Sequence, residues 1–274
     1  MGKKISIVMA YHNRKQQLIT TLQTISYSNY KAFEVIIVDD ASDDNERLED
    51  IVYKYPFKII LIRINKEEKN HKNPCVPYNI GFKHASGEII IIQNPECCHI
   101  GDVISYVNDT LTENDYFTFT CFGIQSFNEN QHLNKILFSE TDQNNFWARN
   151  KYDTLYNKYL CSTALQSDKG RWYNDSVYWA CNLHFLSAIY KTQLDKIGGF
   201  DERYKDGMAY EDTIFVLRIR NQLKLKVKLV EMIEQNTYHL CIHQYHKPTD
   251  YKNNMALCKI NERLYEIDLE IYKK

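Results

Sequence analysis

The segment with the clearest chemical content begins with four consecutive isoleucines at positions 89–92 and continues with Gln93, Asn94, Pro95 and Glu96. An apolar, β-branched run of this kind is typical of a strand that is buried on both faces. In open α/β sheets, ligands bind outside the carboxyl ends of the strands. The oxygen-bearing side chains of Gln93, Asn94 and Glu96 therefore predict a binding site at the end of this strand.

Two carboxylates, Asp39 and Asp40, end a second apolar run at positions 33–38. Because a carboxylate only accepts hydrogen bonds, this pair suits a ligand that presents N–H groups or hydroxyls. The alternative interpretation is an N-cap for a following helix, a role that Ser42 or Asp43 also satisfies. We therefore expect Asp39 and Asp40 to contact a ligand while a neighbour caps the helix.

Glu211 and Asp212 open an amphipathic helical pattern late in the chain. The helix macrodipole favours acidic residues in the first turn of any helix, so this effect alone would explain the pair. The functional interpretation is a general base, which needs one carboxylate within hydrogen-bond reach of a nucleophile. Further along the chain, His243 and His246 are candidate metal ligands or phosphate contacts if Glu96 lies opposite them. Otherwise they belong to an ordinary polar loop.

Alternating strands and helices must position these groups. Over the first hundred residues, apolar runs predict strands at 5–10, 33–38, 58–63 and 89–92, and helical patterns lie at 18–25, 48–52 and 78–85. This order implies βαβ units, and hence an α/β fold with a Rossmann-like, mostly parallel central sheet flanked by helices. The polar, aromatic-rich stretch 126–175 predicts a long loop or a small lobe. A C-terminal helical extension is expected over 251–274.

Composition and missing motifs exclude several classes of protein. The net charge of −1 gives no reason to expect a nucleic-acid partner. No apolar run approaches the ~20 residues of a membrane span, and the first apolar run starts too early for a signal peptide. None of the eight cysteines forms a C-x-x-C pair, so we expect no zinc site, reduced thiols and a cytoplasmic protein. No glycine-rich phosphate loop supports a dinucleotide oxidoreductase or a P-loop NTPase.

Taken in order, these segments resemble the family-2 glycosyltransferases of the GT-A fold. The matching stretches are 5–14, 38–42, 79–96, 197–202 and 210–212. The resemblance implies transfer of a sugar from a nucleotide-sugar donor, a UDP-sugar first of all, to a hydroxyl of a glycan or protein acceptor, with inversion at the anomeric carbon. It also implies a GT-A domain over 1–250, with a nucleotide-sugar half (1–100) and an acceptor half (101–250).

The same resemblance assigns roles to individual residues. Asp212 is expected to be the general base, with Glu211 in support. The expected nucleotide-binding residues are Ala10, Tyr11, Arg14, Asp39, Asp40, Asn79, Gln93 and Asn94. Trp179 and Asn182 are the expected acceptor contacts, since the family's acceptor side lies in this part of the chain.

The sequence departs from the family's pattern at the metal. Asn94-Pro95-Glu96 stands where the family has Asp-x-Asp, which holds Mn²⁺ or Mg²⁺ on the donor diphosphate. Glu96 with His243 is expected to hold the ion here. Tyr78 stands where many members have arginine. The alternative is a non-catalytic nucleotide-sugar-binding module with a decayed metal site.

The last helix carries a 3-4-3-4 apolar stripe made of Leu257, Ile260, Leu264, Ile267 and Ile271. Such a stripe is typical of a coiled-coil seam, but two and a half heptads are too few to establish one. The helix is expected either to dock on the catalytic domain or to form a homodimer.

Overall fold

The computed structural model describes residues 2–138, 171–178, 180–234, 237–247 and 251–272. Elements are numbered in chain order over these residues. The strands are β1 Ile5–Tyr11, β2 Phe33–Asp40, β3 Lys58–Ile64, β4 Ile89–Gln93, β5 Cys97–Ile100, β6 Asp115–Gly123, β7 Trp172–Asn174, β8 Leu186–Tyr190, β9 Lys226–Val230, β10 Ile233–Glu234, β11 Thr237–Tyr238 and β12 Leu240–His243. The helices are α1 Lys15–Ser26, α2 Cys75–His84, α3 Val103–Thr110, α4 Phe127–Phe138, α5 Lys191–Ile197, α6 Glu211–Asn221 and α7 Tyr251–Tyr272.

One large sheet organises the molecule. Its strand order is β3-β2-β1-β4-β8-β6-β12-β5, and β7 and β9 also pair with β6. Pairs β3-β2, β2-β1 and β1-β4 are parallel, while β8 runs antiparallel to both β4 and β6. The predicted α/β fold with a mostly parallel central sheet is confirmed.

The isoleucine strand β4 is buried on both faces, as its sequence predicts. Ile89 and Ile91 pack in the core on one face of the sheet, together with Leu18 of α1. Ile90 and Ile92 point the other way, into a second core that contains Phe82 of α2. Since successive side chains of a strand alternate between faces, the run needs an apolar partner on both sides. The strand thus fixes the position of Asn94 and Glu96 at its carboxyl end.

The prediction of a helix at 48–52 is wrong. This stretch forms turns, preceded by a short 3₁₀ helix at Asp44–Glu46. Leu48 and Ile51 are nevertheless buried in the core beside α1. Their spacing therefore reports burial correctly, although the backbone that delivers it is not helical.

The C-terminal helix α7 docks on the rest of the chain, against α6 and the segment that precedes it. Asn261 and Asp268 are buried at this contact, whereas Ile260, Ile267 and Ile271 of the apolar stripe are 50–61% exposed. The expected docking is confirmed, and the homodimer stays a prediction. Among the described residues, no helix combines the length and apolar character that a membrane crossing requires.

Candidate active site

Glu96 lies at the centre of a cluster of cationic and imidazole groups. It follows β4, and β12 brings His243 beside it because Cys97, the next residue, pairs with His243 across β5 and β12. The Glu96 Oε1 atom lies 3.1 Å from His243 Nε2, 3.8 Å from His246 Nε2 and 2.6 Å from Arg14 Nη1. The structure thus places both candidate histidines, His243 and His246, beside Glu96, together with Arg14.

These residues fit a divalent cation. The ligand atoms of Glu96, His243 and His246 lie within 4.8 Å of one another. The second carboxylate oxygen of Glu96, Oε2, is buried and has no hydrogen-bond partner among the described residues. One carboxylate with two imidazoles suits Mn²⁺ better than Mg²⁺, which prefers a shell made of oxygen atoms.

The charges around Glu96 keep it ionised. Burial opposes its ionisation, but Arg14 and His243 outweigh burial and hold the pKa of Glu96 well below its ordinary range. Burial lowers the pKa of His246, and the nearby Arg14 lowers it further. A carboxylate and a neutral imidazole are the protonation states that bind metal ions.

Asn94 is held by the tyrosine that stands in place of the family's arginine. Tyr78 is buried, and its hydroxyl donates to Asn94 Oδ1 at 2.9 Å and to the Gln93 carbonyl at 3.0 Å. The Asn94 backbone N–H donates to the Phe185 carbonyl. Tyr78 therefore positions the end of β4. Unlike the arginine expected at this position, it brings no positive charge to the site.

The two aspartates that end β2 have different surroundings. Asp40 accepts hydrogen bonds from Lys69 Nζ and His71 Nε2, both at 2.8 Å. Burial would raise the pKa of Asp40, but these two donors lower it. His12, Lys66, Lys69 and His71 line an adjacent cavity of about 460 Å³. Asp40 thus lies beside an open, largely basic cavity.

Asp39 is fully buried. It accepts from the Ser42 backbone N–H at 3.0 Å and pairs with Arg63 at 2.6 Å.

Three other expected nucleotide-binding residues, Tyr11, Asn79 and Gln93, also form hydrogen bonds within the protein. The hydroxyl of Tyr11 donates to the Glu46 carbonyl, while Ala10 is half-buried on β1. A nucleotide contact at Tyr11 and Asp39 stays a prediction.

Asn79 and Gln93 bind neighbouring segments. Asn79 Nδ2 donates to the Phe200 carbonyl and Asn79 Oδ1 accepts from the Phe200 N–H, so it fixes the loop after α5. Gln93 donates to the Cys97 carbonyl and contacts His99 Nε2 through its oxygen. Their nucleotide contacts also stay predictions.

Glu211 and Asp212 begin α6, as expected. Glu211 is buried and accepts from Asn73 Nδ2 at 2.7 Å. Burial and the adjacent Asp212 raise the pKa of Glu211 to about 8. Asp212 is half-buried and accepts only from Thr213 among the described residues, so one of its oxygens is free for an incoming hydroxyl.

His184 is a site residue that the sequence did not reveal. It is 7% exposed, and its Nδ1 atom has no hydrogen-bond partner in the described part of the chain. Its ring packs edge-on against Tyr78 and Phe200, with centroids 5.2 and 5.0 Å apart. Burial lowers the pKa of His184, although the negative charges of Asp212 and Glu96 act in the opposite direction. His184 is connected to the end of β4 through Tyr78, which binds Asn94, and is therefore a further candidate for the site.

On the expected acceptor side, Asn182 is half-buried, accepts from Thr118 at 3.2 Å and has a left-handed backbone with φ of 58°. Trp179 lies outside the described residues. An acceptor role for both stays a prediction.

Three cysteine thiols, from Cys97, Cys121 and Cys241, also lie within 4.8 Å of one another on adjacent strands. They are fully buried in the apolar core, where burial raises the pKa of Cys97 and Cys121, whereas hydrogen bonds from these two thiols outweigh burial and lower the pKa of Cys241. Buried thiols of this kind serve as packing groups.

The arrangement of strands and helices is that of the GT-A fold, and comparison with known proteins agrees. The family model described as glycosyl transferase family 2 matches residues 6–181, more than half of the chain. The chain therefore belongs to glycosyl transferase family 2.

Individual relatives match parts of the chain. The poly(ribitol-phosphate) β-N-acetylglucosaminyltransferase TarP of Staphylococcus aureus is 32% identical over 90 residues, which cover 32% of this chain and 27% of TarP. An uncharacterized glycosyltransferase of Rickettsia felis is 27% identical over 153 residues, covering 56% of this chain and 23% of that protein. The matches thus span about a quarter of the length of these relatives.

Solved structures share the fold at low identity. S. aureus TarS superposes with a TM-score of 0.55 at 18% identity, covering 88% of this chain and 37% of TarS. The Pyrobaculum calidifontis mannosyltransferase PcManGT, solved in complex with GDP-Man and Mn²⁺, gives a TM-score of 0.52 at 14% identity over 95% of this chain and 61% of its own.

Proposed function

We propose that this protein transfers a sugar from a nucleotide-sugar donor, a UDP-sugar first of all, to a hydroxyl acceptor, with inversion. The observation that carries the proposal is the cluster of one carboxylate and two imidazoles made by Glu96, His243 and His246 in a chain of glycosyl transferase family 2. A diphosphate would bind at this cluster, and the acceptor hydroxyl would bind at Asp212. TarS has been solved with UDP and with UDP-GlcNAc, which supports a UDP-sugar as the first donor to test.

In the proposed reaction, the acceptor oxygen attacks the anomeric carbon while Asp212 removes the hydroxyl proton. The bond from that carbon to the phosphate oxygen breaks, and its electron pair leaves with the nucleoside diphosphate. A single displacement of this kind inverts the anomeric centre and needs no second carboxylate as nucleophile. Glu211, buried and with its pKa raised, supports Asp212 as a neutral neighbour.

The second requirement of the reaction is that the negative charge on the leaving diphosphate is neutralised. Arg14 lies beside Glu96, with 29% of its side chain exposed, and can donate to a phosphate oxygen at the mouth of the cluster. A divalent cation held by Glu96, His243 and His246 would neutralise further negative charge on the diphosphate.

The test is release of nucleoside diphosphate from a panel of nucleotide-sugars, with Mn²⁺, by wild type and by Asp212→Asn. We expect the variant to lose about 10²- to 10⁴-fold in kcat, the usual contribution of a general base, and to bind UDP as tightly as wild type. Asp206→Asn is the matched control, since Asp206 is exposed six positions earlier in the chain.

Full activity of Asp212→Asn would refute the base assignment. The second candidate function is the non-catalytic nucleotide-sugar-binding module, favoured by the neutral Asn94 in place of an acidic metal ligand. Tight UDP binding by wild type, together with no turnover of any donor or acceptor offered, would support the module and contradict the transferase.

A further inference from the structure

The two residues that precede Glu211 have an unusual backbone. Ala209 and Tyr210 both lie in the left-handed region, with φ of 62° and 70°. Residues other than glycine are disfavoured in this region, and they adopt it only where contacts with the surrounding structure stabilise the conformation. The direction in which α6 starts, and with it the position of Asp212, therefore depends on contacts that hold this turn.

The C-terminal helix α7 supplies these contacts. Asn261 is 1% exposed, and its Nδ2 donates to the Ala209 carbonyl at 2.9 Å and to the Tyr204 carbonyl at 3.1 Å. One helical turn earlier, the Leu257 carbonyl accepts from the Met208 N–H at 3.2 Å. Two backbone carbonyls of residues 203–210, here called the base loop, are thus bound by a single amide.

Two further features fit the base loop to α7. A Cβ atom on Gly207 would lie 2.2 Å from Asn261 Oδ1 and 2.8 Å from the Leu257 carbonyl oxygen, so only glycine permits this approach without displacement of the amide and of α7. Asp268, fully buried two turns farther along α7, accepts from Arg203 Nη2 and from the Tyr204 hydroxyl, both at 2.9 Å. The loop is therefore bound to α7 at both of its ends.

The other side of the base loop is bound to the amino-terminal half of the chain. The Lys205 carbonyl accepts from the backbone N–H groups of Lys72 and Asn73, at 2.7 and 3.1 Å. The side chain of Asn73 in turn donates to Glu211. The loop thus lies between Asn73, which contacts the start of α6, and α7, which holds the turn before it.

We propose that Asn261 is a positioning residue, and that α7 places Asp212 for proton removal by holding Ala209 and Tyr210 in their left-handed conformation. This inference rests on the proposed function, in which Asp212 is the base. Without the Asn261 amide, the turn relaxes and Asp212 moves away from the acceptor hydroxyl. The nucleotide site at β1, β2 and β4 is not bound by Asn261 and keeps its geometry.

The experiment compares wild type with Asn261→Ala, which removes the amide, and with Gly207→Ala, which keeps the amide and displaces it. We expect kcat to fall about 10- to 100-fold in both variants, as small misplacements of reacting groups do. The KM for the donor and the dissociation constant of UDP stay within about twofold. The double variant is no slower than the slower single variant, because both changes break the same contact.

Ile267→Ala is the matched control, since this side chain is 61% exposed on the outer side of the same helix. Hydrogen exchange at residues 208–213 is measured in parallel and should accelerate in Asn261→Ala but not in the control. If Asn261→Ala does not fold, Gly207→Ala decides the matter with the same measurements.

Unchanged exchange at residues 208–213 would overturn the proposal, and so would equal losses of kcat and UDP affinity, which indicate general damage. The exchange measurement needs no turnover, so it separates this inference from the proposed function. Wild type that turns over no donor refutes the transferase, whereas unchanged exchange refutes the role of α7.

Discussion

Removing the arginine beside Glu96 should change the affinities for metal and for nucleotide in opposite directions. Arg14 donates to Glu96 at 2.6 Å, on the carboxylate oxygen that also faces His243. A metal ion that uses this oxygen must first displace the guanidinium. In Arg14→Gln the oxygen is no longer held by a cation, so Mn²⁺ alone should bind more tightly. A diphosphate loses a cationic contact in the same variant and should bind more weakly.

The magnitude follows from the hydrogen bond that the metal must replace. A hydrogen bond to a charged group contributes about 1.5–3 kcal/mol, and about 1.4 kcal/mol corresponds to a tenfold change in a dissociation constant. The Arg14 side chain is 29% exposed and Glu96 only 2%, so solvent weakens the pair partly and the lower end of the range applies. We expect Mn²⁺ without nucleotide to bind Arg14→Gln about 10-fold more tightly than wild type.

The assay is a Mn²⁺ titration followed by electron paramagnetic resonance, without nucleotide, and then a UDP titration at saturating Mn²⁺. Lys15→Gln is the matched control. Lys15 follows Arg14 in the chain, but it pairs with the exposed Asp50 at 2.7 Å and not with Glu96. If Arg14→Gln binds Mn²⁺ no more tightly than Lys15→Gln does, Arg14 does not compete with the metal and the reasoning fails.

Two other predictions concern buried titratable groups. Because the pKa of Glu211 is raised to about 8, the stability that its protonated form provides is fully present below pH ~4.5 and is lost as pH rises to 8, by at most about 1.4 kcal/mol per pH unit. Denaturant melts across this range should show that slope in wild type, and its persistence in Glu211→Gln would contradict the assignment. His184→Phe keeps a ring against Tyr78 and Phe200 but loses the unpartnered Nδ1. We expect a higher KM for the donor at an unchanged melting temperature, and an unchanged KM would exclude a donor contact.

The periodicity of the sequence was sufficient to predict the four strands β1, β2, β3 and β4. The isoleucine strand is the clearest case, since alternate side chains of 89–92 enter opposite cores. Leu48 and Ile51 show the limit of the same reasoning, because apolar spacing specifies burial and two buried anchors can be joined by turns as well as by a helix. Strand β5 was missed because its four residues carry too short a pattern.

The residues of the candidate site were also predicted only in part. Local motifs, read through the family resemblance, predicted Glu96, His243, Glu211 and Asp212, each at the end or start of an element. The contacts that connect them could not be predicted, because they join positions far apart in sequence. Arg14 and Glu96 are separated by 82 residues. His184 lies in a segment with no pattern of its own, and only the fold reveals its unpartnered nitrogen.

The neutral Asn94 is consistent with the charge balance of the cluster. Within it, the negative charge of Glu96 is matched by the positive charge of Arg14, and burial together with Arg14 lowers the pKa of His246 and so favours its neutral form. A second carboxylate at half-buried position 94 would place a second negative charge near Glu96 whenever a metal is absent, and two carboxylates that share a site disfavour each other's ionisation. Asn94 avoids this cost and still accepts the hydrogen bond from Tyr78. Asparagine at this position therefore favours a site that is stable without a metal ion, and in the proposed reaction Arg14 and the ion would share the neutralisation of the diphosphate.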